Sequence, residues 1–262
     1  MALIQSFEKS GNFLFKYRGQ LPVLFFLIGL PFIYFGDYSF LSRFTPEGRF
    51  CFYIVILIIS IIVSLTGFII RSYTIGTTPR GTSGRNTEKQ VAERLNTKGI
   101  YSVVRHPLYL GNYLMWAGLL LFTLQIPLFI IVSLLFWLYY ERIMFAEESY
   151  LRRQFGEQFE RWSEKVPAFI PAFRRYEKGT IPFSFKAVLR REYTGLFAIV
   201  FCYTVIDYWM QFTFCVRYDS LRNYDGWIRP SLIVLFVTLV LMLVLRTLKH
   251  HTSLLTPDNS RD

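Results

Sequence analysis

The chain has 262 residues, of which 53% are hydrophobic, 19% aromatic and only 18% charged. That is too apolar for a disordered segment and high for a water-soluble domain. Twenty-nine Lys and Arg against eighteen Asp and Glu give a net charge of +11, but these cations flank long apolar runs, so the expected partner is a membrane surface and not nucleic acid.

Crossing a hydrocarbon core of about 30 Å takes roughly 20 apolar residues in a helix. Six runs meet or approach that length: Leu21 to Leu41, Phe50 to Ile70, Leu108 to Leu124, Pro127 to Phe145, Gly195 to Val216 and Ile228 to Leu248. The fold class expected is therefore all-α, a polytopic transmembrane bundle of about six spans. Gln125 and Ile126 alone separate the third run from the fourth, which reads as a tight helical hairpin. The first run is too long for the apolar stretch of a signal peptide and lacks an A-x-A-like site.

Cytoplasmic loops collect Lys and Arg. Residues 1–20 carry three, 71–107 seven, 141–192 eleven and 246–262 three, so 24 of the 29 fall on one face. Arg43, Arg49, Arg217, Arg222 and Arg229 fall on the other. Both termini and the two long connections are thus expected to face the cytoplasm.

Between Arg71 and Arg105 the chain turns polar, with a short helix expected over Glu88 to Leu95. The stretch from Gly76 to Ser83 resembles a phosphate loop only superficially, because the lysine before the hydroxyl residue is missing. No G-x-G-x-x-G follows a strand-like run, so a dinucleotide fold is unsupported. Cys51, Cys202 and Cys215 all lie in apolar segments without C-x-x-C spacing, and three histidines are too few for a multi-histidine iron centre. No metal site is expected.

Two stretches carry chemistry. In the first, Gly99-Ile-Tyr101-Ser-Val-Val-Arg105-His106-Pro107-Leu-Tyr109-Leu-Gly111-Asn112-Tyr113, Pro107 suits the first turn of a helix and should open the third span. Arg105 and His106 then sit at the membrane boundary, with Tyr109, Tyr113 and Trp116 along one helical face. Read alone, this is equally an interfacial anchor. The second stretch follows the fourth span. Leu151, Phe155, Phe159 and Trp162 recur at i, i+4, i+8 and i+11, so the helix should continue out of the membrane, weakened at Gly156. Glu147 and Glu148 sit near the boundary, where carboxylates are costly unless hydrated, paired or functional. Local pairing with Arg152 and Arg153 on a solvated helix is the plainer account.

Together the stretches resemble the isoprenylcysteine carboxyl methyltransferases and related phospholipid methyltransferases, whose pattern is G-x-Y-x-x-x-R-H-P-x-Y-x-G, a hairpin, then E-E-x-x-L-x-x-x-F-G with V-P beyond. Gly99, Tyr101, Arg105, His106, Pro107, Tyr109 and Gly111 meet the first half, and Glu147, Glu148, Leu151, Phe155, Gly156, Val166 and Pro167 the second. Two tyrosines of the family pattern are replaced by Phe159 and Trp162. The resemblance covers roughly residues 50–171. It divides the chain into a first span with its flanks (1–49), a methyltransferase-like core (50–171) and an extension with two further spans (172–262).

The resemblance implies S-adenosylmethionine as cofactor, bound at the cytoplasmic end of the hairpin, and a lipid or lipid-linked acceptor: a carboxylate, a phosphate, an amine or a quinone-like oxygen. Arg105 or His106 would take the methionyl carboxylate, and Glu147 and Glu148 the amino group or ribose hydroxyls. Tyr101 and Tyr109 offer ring faces, Pro107 sets the helix start, and Gly111 would let the backbone approach the ligand. Arg105, His106 and Glu148 are the expected catalytic residues. Membrane sterol reductases share R-H-P-x-Y-x-G with NADPH as cofactor, but typically place an acid where this chain has Asn112. A scaffold or transporter is the non-catalytic rival. Asp207, the one charged residue deep in the fifth span, is either a satisfied buried acid or faces the acceptor. The sequence leaves oligomeric state open.

Overall fold

A computed structural model describes residues 2–79, 92–218 and 229–256. Among these the chain forms eight α-helices: α1 (Leu3–Lys16), α2 (Leu21–Phe35), α3 (Pro46–Thr77), α4 (Pro107–Phe122), α5 (Ile126–Phe155), α6 (Glu157–Ser163), α7 (Phe185–Arg217) and α8 (Pro230–His251). The protein is an all-α polytopic membrane bundle. Helices α3, α5, α7 and α8 are long and apolar enough to cross a membrane, while α2 and α4 are apolar but shorter. The six expected runs are thus four long and two short helices.

Backbone chemistry sets the ends. Pro46, Pro107, Pro127 and Pro230 all occupy first-turn positions, where a missing N–H breaks no helical bond. The hydroxyl of Thr45 caps α3 by accepting from the Gly48 N–H at 3.2 Å. Helix α2 stops at Phe35, short of the expected Leu41, because Gly36 turns to extended backbone and a 3₁₀ turn over Ser39–Arg43 follows.

Helix α3 packs on α4 through small residues. A Cβ at Gly67 would lie 2.4 Å from the Gly111 carbonyl oxygen, and one at Gly118 2.2 Å from the Ser64 hydroxyl. The Ser64 hydroxyl donates across this contact to the Met115 carbonyl at 2.9 Å. Without a hydrophobic drive between helices in lipid, such close backbone approach and interhelical hydrogen bonding supply the adhesion. Helix α7 seats Ile206, Met210 and Phe214 in the main core beside Ile33, Leu120, Phe122 and Leu128. Helix α8 hairpins back on α7.

The structure differs from the sequence reading locally. The helix leaving α5 breaks at Gly156, whose φ of +50° suits glycine alone, and restarts as α6. Half of the expected helix over Glu88 to Leu95, residues 88–91, lies outside the described residues, and 92–95 are not helical. Helix α1 was not foreseen. It lies on the polar end of α5, with the Arg142 guanidinium 3.4 Å from the Phe7 ring centre, Glu8 paired to Arg153 at 2.7 Å, and the Tyr139 hydroxyl donating to the Leu14 carbonyl at 2.9 Å.

Candidate functional site

Residues 99–106 run as a strap whose one 3₁₀ turn, over Ile100–Ser102, leaves the backbone groups beyond it to be satisfied from elsewhere. The segment after α6 satisfies them. The Arg105 N–H donates to the Pro167 carbonyl at 2.9 Å and the His106 N–H to that of Ala168 at 3.2 Å; in return the Ala172 N–H donates to the Val103 carbonyl at 2.9 Å. Gly99 and Glu177 form an antiparallel bridge, and the Trp162 indole N–H donates to the Tyr101 carbonyl at 2.9 Å. The strap is therefore held from both sides before Pro107 begins α4.

So held, the strap aims its side chains at the twin acids of α5. Arg105 donates to Glu148 at 2.9 Å, His106 Nε2 lies 2.8 Å from the other oxygen of Glu148, and His106 Nδ1 lies 3.5 Å from Glu147. Tyr109, one turn into α4, donates its hydroxyl to Glu147 at 2.6 Å. The local pairing of Glu147 and Glu148 with Arg152 and Arg153 does not occur: Arg153 turns to Glu8 and Arg152 lies 3.7 Å from Glu160.

Both ring nitrogens of His106 face carboxylates, an arrangement satisfied only when both carry protons. Burial disfavours that cation, yet hydrogen bonds to Glu147 and Glu148 outweigh burial and hold the imidazole above its ordinary value. Burial, then the charge of Glu147, pushes the Tyr101 hydroxyl up to about 12, so it stays protonated. The cluster thus holds two cations and two anions in near balance.

Two clefts of about 1000 and about 780 Å³ open beside the strap. Lys165, Val166, Arg174 and Arg175 line both, and the smaller reaches Arg105. Arg105 Nε is buried and has no hydrogen-bond partner among the described residues.

Each expected site residue is accounted for. Arg105, His106, Tyr109, Glu147 and Glu148 converge; Pro107 begins α4; Tyr101 lies half-buried at the strap. Gly111 sits where α4 meets α3. It faces α3, where a Cβ would meet the Arg71 side chain at 2.6 Å and the Gly67 carbonyl oxygen at 2.7 Å. Sequence reading missed Arg71, Tyr140 and Glu192. Arg71 takes Glu192 through two hydrogen bonds of 2.9 and 2.7 Å and donates to Asn112 at 2.6 Å. A lone arginine ending an apolar run was the one available signal.

The profile of a family described as phospholipid methyltransferase matches residues 50–158. This part of the chain is similar to that family's members. It contains the strap, the hairpin and both acids. Among curated relatives, the protein-S-isoprenylcysteine O-methyltransferase of Schizosaccharomyces pombe is 35% identical over 77 residues, 29% of this chain and 33% of that protein. A nickel-cobalt-cadmium resistance protein, NccN, of Alcaligenes xylosoxydans xylosoxydans is 38% identical over 89 residues, 34% of this chain and 39% of its own. A probable protein-S-isoprenylcysteine O-methyltransferase of Oryza sativa subsp. indica is 29% identical over 115 residues, 43% and 60%. The chain thus spans between a third and three fifths of these relatives. No solved structure matches it. The phospholipid methyltransferase segment ends before α7 and α8, which lie outside it.

Proposed function

We propose that the chain transfers a methyl group from S-adenosylmethionine to an anionic oxygen on a lipid or lipid-linked acceptor, at a site formed by Arg105, His106, Tyr109, Glu147 and Glu148. The observation that carries this is the convergence of two cations and two carboxylates, 42 residues apart for His106 and Glu148, onto one another. A cofactor ending in an amino acid carries one carboxylate and one ammonium. Arg105 and Glu148 already make that pairing with each other and can exchange it pair for pair. The buried Nε of Arg105, without a hydrogen-bond partner among the described residues, is a further donor in the cluster. Tyr101 and Tyr109 add ring faces for a cation.

The bound cofactor supplies a methyl already activated by sulfonium charge, so what the protein must add is placement and exclusion of water. The chain's own groups fit an oxyanion acceptor better than an amine. An amine must first lose a proton, and the cluster has no free base for it. His106 is held in its protonated form, and donors from Arg105, His106 and Tyr109 occupy Glu147 and Glu148. A carboxylate or phosphate oxygen needs none.

The excess of Lys and Arg on the connections that carry the strap and the twin acids supports a cytoplasm-facing site. Residues 50–171 are read as the methyltransferase-like core, 1–49 as its first span and flanks, and 172–262 as the extension. Cysteine-labelling reporters at residues 126 and 85 should report opposite sides of the membrane.

The deciding experiment is thermal unfolding of detergent-purified protein with S-adenosylhomocysteine and with NADPH, because a ligand of the native state raises its stability by mass action. Stabilisation by the first alone is expected. Stabilisation by NADPH alone points to hydride transfer, and stabilisation by neither overturns the enzyme reading.

A further inference from the structure

Helix α7 brings a carboxylate to this region that the phospholipid methyltransferase segment does not contain. Glu192, two turns into α7, is 4% exposed and grips Arg71 of α3 through both its oxygens, at 2.7 and 2.9 Å. The third guanidinium nitrogen of Arg71, Nη1, donates to the Asn112 side-chain oxygen at 2.6 Å. That contact fixes which way the amide faces: its nitrogen then donates to the Tyr140 hydroxyl at 3.2 Å. The Tyr140 ring lies against that of Tyr109, centres 4.7 Å apart. Tyr109 in turn holds Glu147 at 2.6 Å and stacks on His106, with centres 5.7 Å apart and planes within 18°.

We propose that Glu192 is a positioning residue for the methyl-transfer site: through Arg71 and Asn112 it sets the Tyr140 and Tyr109 pair that holds Glu147 and His106 in place. The extension is then a working part of the site and not an appendage. This inference rests on the functional reading above. A simple staple between α3 and α7 would need only the Arg71 and Glu192 pair. The third guanidinium donor, aimed at Asn112, is what continues the path inward. The Arg71 stem also crosses α4 at Gly111, where any side chain would collide with it, so the guanidinium has one route to Asn112 and little freedom to find another. In Glu192→Gln the amide oxygen can keep one of the two hydrogen bonds from Arg71, but the guanidinium loses its counter-ion and the second acceptor, and must turn toward water or pull harder on Asn112. Either movement passes to Tyr140 and Tyr109, because packed side chains shift between discrete arrangements.

The test uses the full chain in detergent, with S-adenosylhomocysteine affinity measured by calorimetry alongside melting temperature. Glu192→Gln and Asn112→Ala are each expected to weaken binding about three- to tenfold, within the range for coupling through such paths. Their combination should be no weaker than the weaker single variant, since both cut one path. Glu192→Asp should fall between wild type and Glu192→Gln. Asp207→Asn, which removes a buried charge at a different place on the same helix, should lower the melting temperature and leave affinity unchanged. Asn112→Ala keeps the α3 to α7 ion pair intact, so it carries the test if Glu192→Gln does not fold. Wild-type affinity in both Glu192→Gln and Asn112→Ala, or losses that multiply in the double variant, overturns the proposal. Failure of the wild-type protein itself to bind S-adenosylhomocysteine is a separate result, and it overturns the methyl-transfer reading beneath.

Discussion

Asp207 and the Glu147 and Glu148 pair are both held by an arginine, and the two clusters are built to opposite ends. Around Asp207 three donors fill the carboxyl: Tyr53 donates to one oxygen at 2.8 Å, and Arg229 and Ser231 both donate to the other at 2.8 and 2.7 Å. The residue is 5% exposed, and its donors come from α3 and the start of α8. Around Glu147 and Glu148 the pairs are doubled, one cation is an imidazole, one guanidinium nitrogen has no hydrogen-bond partner, and a cleft opens beside it. A buried charge therefore does not mark a site by itself. What distinguishes the second cluster is donor capacity left over and pairs that a zwitterion can replace. The first cluster is the satisfied acid of the two readings the sequence left for Asp207.

The contrast is broken most directly by removing one acid from each cluster. Asp207→Ala leaves half-buried Arg229 without its counter-ion and Tyr53 and Ser231 without their acceptor, and should cost about 1–3 kcal/mol of stability, the penalty for stranding partly buried donors. Affinity for S-adenosylhomocysteine should stay within about twofold of wild type, since the charge removed serves packing. Glu148→Ala should do the reverse, lowering affinity by about 2–5 kcal/mol because it strips one side of a desolvated pairing. Its effect on unfolding should be smaller, since Glu148 is 22% exposed and water can reach Arg105 and His106. Calorimetry and thermal unfolding on both variants read the two effects side by side. Equal losses of affinity would erase the distinction.

Acidity sharpens the same comparison, because one of the cations between Glu147 and Glu148 is an imidazole. Its folded-state value lies above the ordinary 6.5. The stability it adds is therefore complete below about pH 6.5 and is lost as pH rises through the raised value. His106→Gln removes the charge and keeps a donor. The melting temperature of wild type should exceed that of the variant most at about pH 6, and the gap should narrow as pH rises. A gap that widens with pH would mean that the imidazole sits neutral between the acids.

How much of this was legible in the sequence follows from the distance over which each feature is specified. The long apolar runs became α3, α5, α7 and α8 because span length is a property of one segment. Pro107 marks the start of α4 for the same local reason. The meeting of Arg105 and His106 with Glu148 needed one further step, a tight hairpin whose short link folds two helices back on each other, and that too could be read. Gly156 could not. The apolar spacing from Leu151 to Trp162 continues unbroken through it, and only the φ of +50° shows that the helix stops. Helix α1 hid because it is too short and too polar on its outer face to register as a span, and its partner on α5 lies more than 120 residues away. The Arg71 and Glu192 pair, 121 residues apart and on helices with no sequential link, left no local pattern at all.

The smallest expected effect concerns the place where the chain lacks the tyrosines of the methyltransferase pattern it resembles. Trp162 stands at one of those positions, and its indole N–H donates to the Tyr101 carbonyl at 2.9 Å, tying α6 to the strap that carries Arg105 and His106. The indole thus supplies a donor of the kind a phenol hydroxyl supplies, from a larger ring. Trp162→Phe removes that donor and leaves a main-chain carbonyl unpaired. The cost should be about 1 kcal/mol, the net worth of one hydrogen bond, because Trp162 is half-buried and water can replace part of it. Trp162→Tyr keeps a donor on a different reach and should recover some of that loss. Since Pro167 and Ala168 hold the strap independently through its backbone, ligand affinity should change by less than about twofold in either variant. A large affinity loss in Trp162→Phe would instead make α6 a part of the binding surface, and would shift the boundary between the two kinds of cluster toward the clefts.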